Sequence, residues 1–212
     1  MSDIYKYLTK HCNISSTLVN SHIKANTPHI IDSQNGLVDI YSKLIDNRII
    51  FLASEMESDI CNIIKAQLLY LEAQSNADIK IYIDSPGGSV YSGLGVIDTM
   101  EYITPDIITI NTGLAASMAA VVLCCGTNGK RKSLKRSRTM IHQPLTGGFD
   151  IVQASDMEID AKEINLIKKE LCELISSKTN HSVKKVTKDC DRDYWMSSAD
   201  ALKYGLIDSI VI

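Results

Sequence analysis

From Arg48 onward the chain alternates short, densely apolar runs with longer stretches in which apolar residues recur every three or four positions. Arg48-Ile-Ile-Phe-Leu52 predicts a buried strand, and apolar residues at 60, 63, 64, 68 and 71 predict one face of a helix. Ile79-Lys-Ile-Tyr-Ile83 alternates at period two, the pattern of a strand, and breaks at Pro86-Gly87-Gly88. A helix over about 89–103 follows, then a strand at 107–110, a turn at Gly113 and a helix starting near Ser117. A further strand, 138–142, ends at His142. The longest helix is predicted over 155–178, apolar at 164, 167, 171, 174 and 175, with Ser155-Asp-Met-Glu158 as a capping box. This strand–helix alternation predicts an α/β fold in one domain. Residues 1–38 are polar and carry no steady period, so they are expected to form a propeptide or flexible arm. Residues 39–212 then form the single domain, with neither an internal repeat nor a Pro- or Ser-rich linker.

Composition narrows the function classes. The 212 residues are 45% hydrophobic with a formal net charge of −3, enough for one ordinary core and unsuited to a polyanion or membrane surface as principal partner. No apolar stretch approaches the roughly 20 residues of a membrane span, and the N-terminus lacks the pattern of a secretory signal. The six cysteines show neither Cys-x-x-Cys pairing nor zinc spacing, which fits free thiols in a reduced compartment. His11, Cys12, His22 and His29 are too irregularly spaced for a metal cluster, and no metal is expected.

Lys130-Arg-Lys-Ser-Leu-Lys-Arg-Ser-Arg138 is locally basic enough to suit a nucleic-acid module. It lacks interleaved aromatics in a chain that is acidic overall. A solvated loop, or a loop facing an acidic neighbouring subunit, is the better fit.

The chemistry concentrates in two segments, Thr112-Gly-Leu-Ala-Ala-Ser117-Met-Ala-Ala120 and Met140-Ile-His142-Gln-Pro144. A serine hydroxyl is a poor nucleophile until a base takes its proton, so a serine with a histidine in reach is the minimum for acyl transfer. Asp84-Ser-Pro-Gly-Gly-Ser89 could aim backbone N–H groups at an oxyanion, and Asp189-Cys-Asp-Arg-Asp193 could supply the carboxylate that orients the histidine. Taken singly, each has a structural reading: a small-residue packing stripe, a core histidine, a strand-end turn, a solvated loop. Together they are the parts of a serine hydrolase. Ser117 would stand at a helix N-terminus, where unpaired N–H groups favour negative charge.

The ordered motifs Ile81-Tyr-Ile-Asp-Ser-Pro-Gly-Gly88, Ala115-Ala-Ser-Met118, Met140-Ile-His-Gln-Pro-Leu145 and Asp191-Arg-Asp-Tyr-Trp-Met-Ser197 resemble the caseinolytic (Clp) protease proteolytic subunits, from about Asp39 to Asp208. The resemblance implies the ClpP/crotonase-like repeated ββα superhelix with a protruding handle helix, here about 155–178. It implies Ser117 as nucleophile, His142 as general base and then acid, and Asp193 as the orienting carboxylate, with Asp189 and Asp191 as nearby decoys. Gly88 and Met118 would supply the oxyanion-hole N–H groups. A histidine base loses function once protonated, so activity is expected to fall in acid.

The same resemblance implies two stacked heptameric rings around a chamber, with Asp191 and Arg192 in inter-subunit salt bridges and residues about 28–38 at the axial gate. A hexameric AAA+ unfoldase would dock on the rim near Tyr82 and Tyr102 and thread unfolded polypeptides inward. The chain has no Gly-x-x-x-x-Gly-Lys-[Ser/Thr] loop, so it is expected to need no cofactor of its own, with ATP used by the unfoldase. A bacterial cytoplasm, or an organelle matrix or stroma, fits this role. The chain departs from the family pattern at Ala119, where glycine is usual, at Lys132, where an apolar pocket residue is common, and in two extra residues near Thr146-Gly147-Gly148. Rival readings are a catalytically latent structural subunit and a crotonase-like acyl-CoA enzyme. The latter lacks the Ser-x-Met, His-Gln-Pro and Arg-Asp-aromatic set.

Overall fold

The computed structural model describes residues 29–32, 36–145 and 153–211. The chain divides into two compact units, Met1–Asn47 and Arg48–Ile212. In the first, β1 (His29–Asp32) and β2 (Gly36–Asp39) pair antiparallel, and α1 (Ile40–Asp46) follows at once. Asp39 caps that helix by accepting the Ser42 N–H at 2.9 Å. The hairpin had no signature in the hydrophobic pattern. Most of the segment expected to be an arm or axial gate, residues 1–28 and 33–35, lies outside the described residues.

The second unit is an α/β layer structure. Its elements are β3 (Ile49–Leu52), α2 (Ser58–Gln74), β4 (Ile79–Ser85), α3 (Val90–Tyr102), β5 (Ile107–Ala116) and α4 (Met118–Cys124). Then come β6 (Arg131–Leu134), β7 (Arg138–Ile141), α5 (Ala154–Lys178), α6 (Val183–Asp189), β8 (Tyr194–Ser197), α7 (Ser198–Tyr204) and β9 (Ser209–Val211). Strands β3, β4, β5, β6 and β9 form a parallel sheet in that order. β7 pairs parallel to β5 and antiparallel to β8. Ile50, Leu52, Ile79, Ile81 and Ile83 are fully buried, as the period-two pattern requires.

The sequence expectation fails in four places, each for a local physical reason. The chain does not turn at Gly113; β5 runs on to Ala116. Across from it the β4–β5 register shifts between Ile83 and Ser85, and the exposed Asp84 carboxylate reaches across to accept the Leu114 N–H at 2.9 Å. A Cβ on Gly113 would stand 2.6 Å from that carboxylate, so this glycine makes room for a bulge instead of ending the strand.

The buried face of α2 is Cys61, Ile64, Leu68 and Leu71, while Ile63 is 54% exposed. Cysteine here acts as the small hydrophobe that completes the stripe. No capping box opens α5: its N-cap is Gln153, so Ser155 already lies inside the first turn. The basic run is not a loop but β6, a turn and β7. Lys130 reaches Asp78 at 2.6 Å and Asp106 at 2.8 Å, and buried Arg131 binds Asp208 through two side-chain bonds of 2.9 and 2.5 Å. Three carboxylates of the same chain thus take up two of the six cations.

Cys61, Cys124, Cys125, Cys172 and Cys190 are free and buried, and burial pushes the Cys124 thiol up to about 11. Among the described residues, no helix is long and apolar enough to cross a membrane.

Candidate active site

Three strand ends meet at one point. β5 and β7 run parallel with Ala116 opposite Met140, and the next residue, Ser117, donates its N–H to the Met140 carbonyl at 2.9 Å. β7 and β8 run antiparallel, and their last rung joins Ile141 to Tyr194. The residue after Ile141 is His142 and the residue before Tyr194 is Asp193. Each of the three side chains is therefore held one residue off the end of a hydrogen-bonded strand.

They form a continuous chain of contacts. His142 Nε2 lies 2.8 Å from Ser117 Oγ, and His142 Nδ1 lies 3.2 Å from Asp193 Oδ1. A carboxylate accepts only, so the tautomer with its proton on Nδ1 suits this arrangement and leaves the Nε2 lone pair for the serine hydroxyl. The histidine side chain is 14% exposed and that of Asp193 is 60% exposed.

Ser117 is the N-cap of α4, yet its hydroxyl makes no cap bond and turns to His142 instead. Its backbone has φ 56° and ψ −128°, a conformation that a Cβ disfavours by roughly 1–3 kcal/mol. The sharp turn lifts the hydroxyl out of the strand–helix junction.

Two N–H groups are available beside it. Met118 opens α4, where the first amides have no intrahelical acceptor. At the glycine turn, Met56 donates to the Gly87 carbonyl at 2.7 Å and accepts from Ser89 at 3.0 Å. That parallel bridge leaves the intervening N–H of Gly88 facing away from Met56. Gly87 gives its own N–H to Ser85 Oγ at 3.1 Å, while Gly88 and Met118 have no N–H acceptor among the described residues. Gly87 has φ 93°, and a Cβ there would lie 2.7 Å from both Ala116 O and Ser117 Cβ. Only glycine permits this approach. Gly93 of α3 does the same for the Met118 side chain, whose Cγ would meet a Cβ at 2.3 Å.

A narrow, largely apolar pocket lined by Val90, Val121, Ile141, Leu171 and Ile175 opens beside Ser117 and His142. A larger cavity, bounded by Asp106, Thr127, Arg131, Lys178 and Asp208, contains none of the predicted site residues.

The remaining predicted residues are spread out. Asp189 accepts from Lys185 at 2.7 Å and Tyr204 at 2.8 Å, so this decoy carboxylate is structural. Burial alone would raise it, but those bonds hold it below its ordinary range. Asp191 and Arg192 are exposed and make no ion pair among the described residues. Tyr82 is half-buried and stacks on Phe51 with ring centroids 5.4 Å apart, whereas Tyr102 is 80% exposed at the end of α3. Ala119 is fully buried in α4. The extra residues near Thr146 lie outside the described residues. Sequence reasoning overlooked Gln143 and Lys168, which bond to each other beside His142. Their 25-residue separation gives no periodic signal. No group of three or more His, Cys, Asp or Glu suited to a metal occurs among the described residues.

The Clp protease family model matches residues 32–212. An ATP-dependent Clp protease proteolytic subunit of Porphyromonas gingivalis is 48% identical over 219 aligned positions, covering 100% of this chain and 98% of that protein. One from Bacteroides fragilis (strain YCH46) is 46% identical, covering 100% and 99%. An ATP-dependent Clp protease proteolytic subunit 2 from a Synechococcus strain (CC9605) is 52% identical over 82% of this chain and 87% of its own length.

Proposed function

Because the chain belongs to the Clp protease family, we propose that it is the serine endopeptidase core of an ATP-dependent protease, cleaving unfolded polypeptides to short peptides. The observation that carries this reading is the 2.8 Å contact between His142 Nε2 and Ser117 Oγ, with Asp193 behind the ring. Ser117 Oγ attacks the scissile carbonyl while His142 Nε2 takes its proton. Negative charge then collects on the carbonyl oxygen, where the Gly88 and Met118 N–H groups can meet it. Each such donor is typically worth about 3 kcal/mol in the transition state. His142 returns the proton to the leaving amine, and an acyl group stays on Ser117. Water, deprotonated by the same histidine, releases it.

The rest of the proposal follows the family. The subunits stack as two heptameric rings that enclose the active sites, and α5 packs ring against ring. Its solvent-facing first half carries Met157 at 45% and Ile159 at 62% exposure, apolar surface that an assembly would cover. Asp191 and Arg192, without ion-pair partners among the described residues, are available to a neighbouring subunit. An AAA+ unfoldase, which hydrolyses the ATP, docks near Tyr82 and Tyr102 and feeds polypeptide through a gate formed by residues about 28–38. This chain itself uses no cofactor and works in a bacterial cytoplasm.

The test is labelling by a serine-reactive fluorophosphonate on wild type and Ser117→Ala at native particle size. Labelling that vanishes in Ser117→Ala, on a particle of about fourteen subunits, is the expected result. Labelling that survives the substitution removes Ser117 as nucleophile.

A further inference from the structure

The β7–β8 ladder stops at Ile141–Tyr194, so no strand hydrogen bond fixes His142 against Asp193. Gln143 takes over where the ladder ends. Its backbone N–H donates to the Cys190 carbonyl at 2.6 Å, and its side-chain Nε2 donates to the Asp191 carbonyl at 2.9 Å. The histidine is thereby held between a rung on one side and a double tether on the other. The segment carrying Asp193 is gripped at the same two points.

The tether depends on which way the Gln143 amide faces. Its nitrogen must point at Asp191, and its oxygen must point elsewhere. Lys168 Nζ donates to Gln143 Oε1 at 2.7 Å. An ammonium group can only donate, so it admits the amide oxygen and rejects the nitrogen. Lys168 stands on α5 between Ile167 and Leu171, at the level where the helix first buries side chains; most residues before it are exposed. The seating of α5 therefore reaches the His142–Asp193 pair through one lysine and one amide.

We propose that Gln143 and Lys168 are a positioning pair that holds the His142–Asp193 contact closed and makes it depend on the seating of helix α5. The inference rests on the triad reading given above. Neither residue touches the reacting atoms: Gln143 sets the spacing of base and carboxylate, and Lys168 sets the amide.

The experiment is performed on the assembled full chain, measuring fluorophosphonate labelling rate together with peptide kcat and KM. Gln143→Glu keeps an acceptor for Lys168, now as an ion pair, but loses the donor to Asp191. Lys168→Met removes the donor that orients the amide, and Lys168→Arg keeps one. Expected are labelling rates and kcat lowered between about 10- and about 100-fold in Gln143→Glu and Lys168→Met at unchanged KM, with Lys168→Arg substantially restored. The double variant Gln143→Ala/Lys168→Ala should be no slower than Gln143→Ala alone. Wild-type labelling in Gln143→Glu, equal rates in Lys168→Met and Lys168→Arg, or additive losses would each overturn the proposal. If Lys168→Met fails to assemble, Gln143→Glu decides alone. Labelling that persists in Ser117→Ala would instead strike the underlying triad reading, so the two failures are distinguishable.

Discussion

Ile141 and Tyr194 face each other as the last rung between β7 and β8, and the residues just past that rung are His142 and Asp193. The antiparallel register thus brings imidazole and carboxylate together although 51 positions separate them in sequence. A slip of one residue would turn each side chain to the opposite face of the sheet.

Asp193 contacts the histidine from a largely exposed position, and the proposed mechanism makes it the orienting carboxylate. Asp193→Asn should lower kcat by between about 10² and about 10⁴, since an amide can stabilise the wrong imidazole tautomer. Labelling rate and kcat should fall together, with KM unchanged. A loss below threefold would show that the carboxylate does not set the tautomer.

Ser117 holds a positive φ while bearing a Cβ. Ser117→Ala and Ser117→Gly should both abolish turnover, by at least about 10⁴-fold. They should differ in stability, because only glycine relieves the backbone. Ser117→Gly should exceed Ser117→Ala by about 1 kcal/mol in urea denaturation, and equal midpoints would mean that the junction is unstrained.

Gly87 abuts backbone and Cβ atoms of the turn at Ser117. Gly87→Ala should cost at least about 2 kcal/mol through overpacking and strain, and should slow fluorophosphonate labelling. Circular-dichroism melts alongside labelling separate the two effects. Full activity would mean that the turn can move aside without displacing Ser117.

Asp208 joins β6 to the chain's C-terminal end through Arg131. Burial would push its carboxyl up, but the bonds from Arg131 win and hold it below its ordinary value. A carboxylate lowered in the folded state stabilises above its unfolded value, about 3.9, and that contribution disappears as pH falls through the folded value. Asp208→Asn, which leaves buried Arg131 without its counter-charge, should cost about 3–5 kcal/mol at pH 7. The gap between variant and wild type should narrow below about pH 4, as read by urea midpoints. A gap independent of pH would point to packing alone.

Much of this molecule was legible from the chain. Ile79–Ile83 alternates because one face of β4 is deeply buried, and Ser117, His142 and Asp193 each sit in a motif at a strand end. What escaped depends on partners distant in sequence. Gly113 read as a turn because nothing local reveals that Asp84 fills the space opposite. Ser155 read as a cap because a capping box is defined by its neighbours, whereas α5 starts one residue earlier, at Ala154, with Gln153 as its cap. The charges at 130–138 read as solvent-facing because Asp78, Asp106 and Asp208 enter only with the fold. The bond between Gln143 and Lys168 left no trace, although Gln143 stands in the His-Gln-Pro motif, since a hydrogen bond between a strand end and a helix has no period.

Strand β5 offers one edge to two neighbours, β6 along 109–111 and β7 along 114–116. The two stretches are therefore paired independently of each other. Along the hydrogen-bonded ladders, strain or repacking in β6 and β9 reaches the pairing of β5 with β7, which places Ser117 beside Met140, only through β5 itself. The handover between the two pairings falls at Thr112 and Gly113, within a single uninterrupted strand.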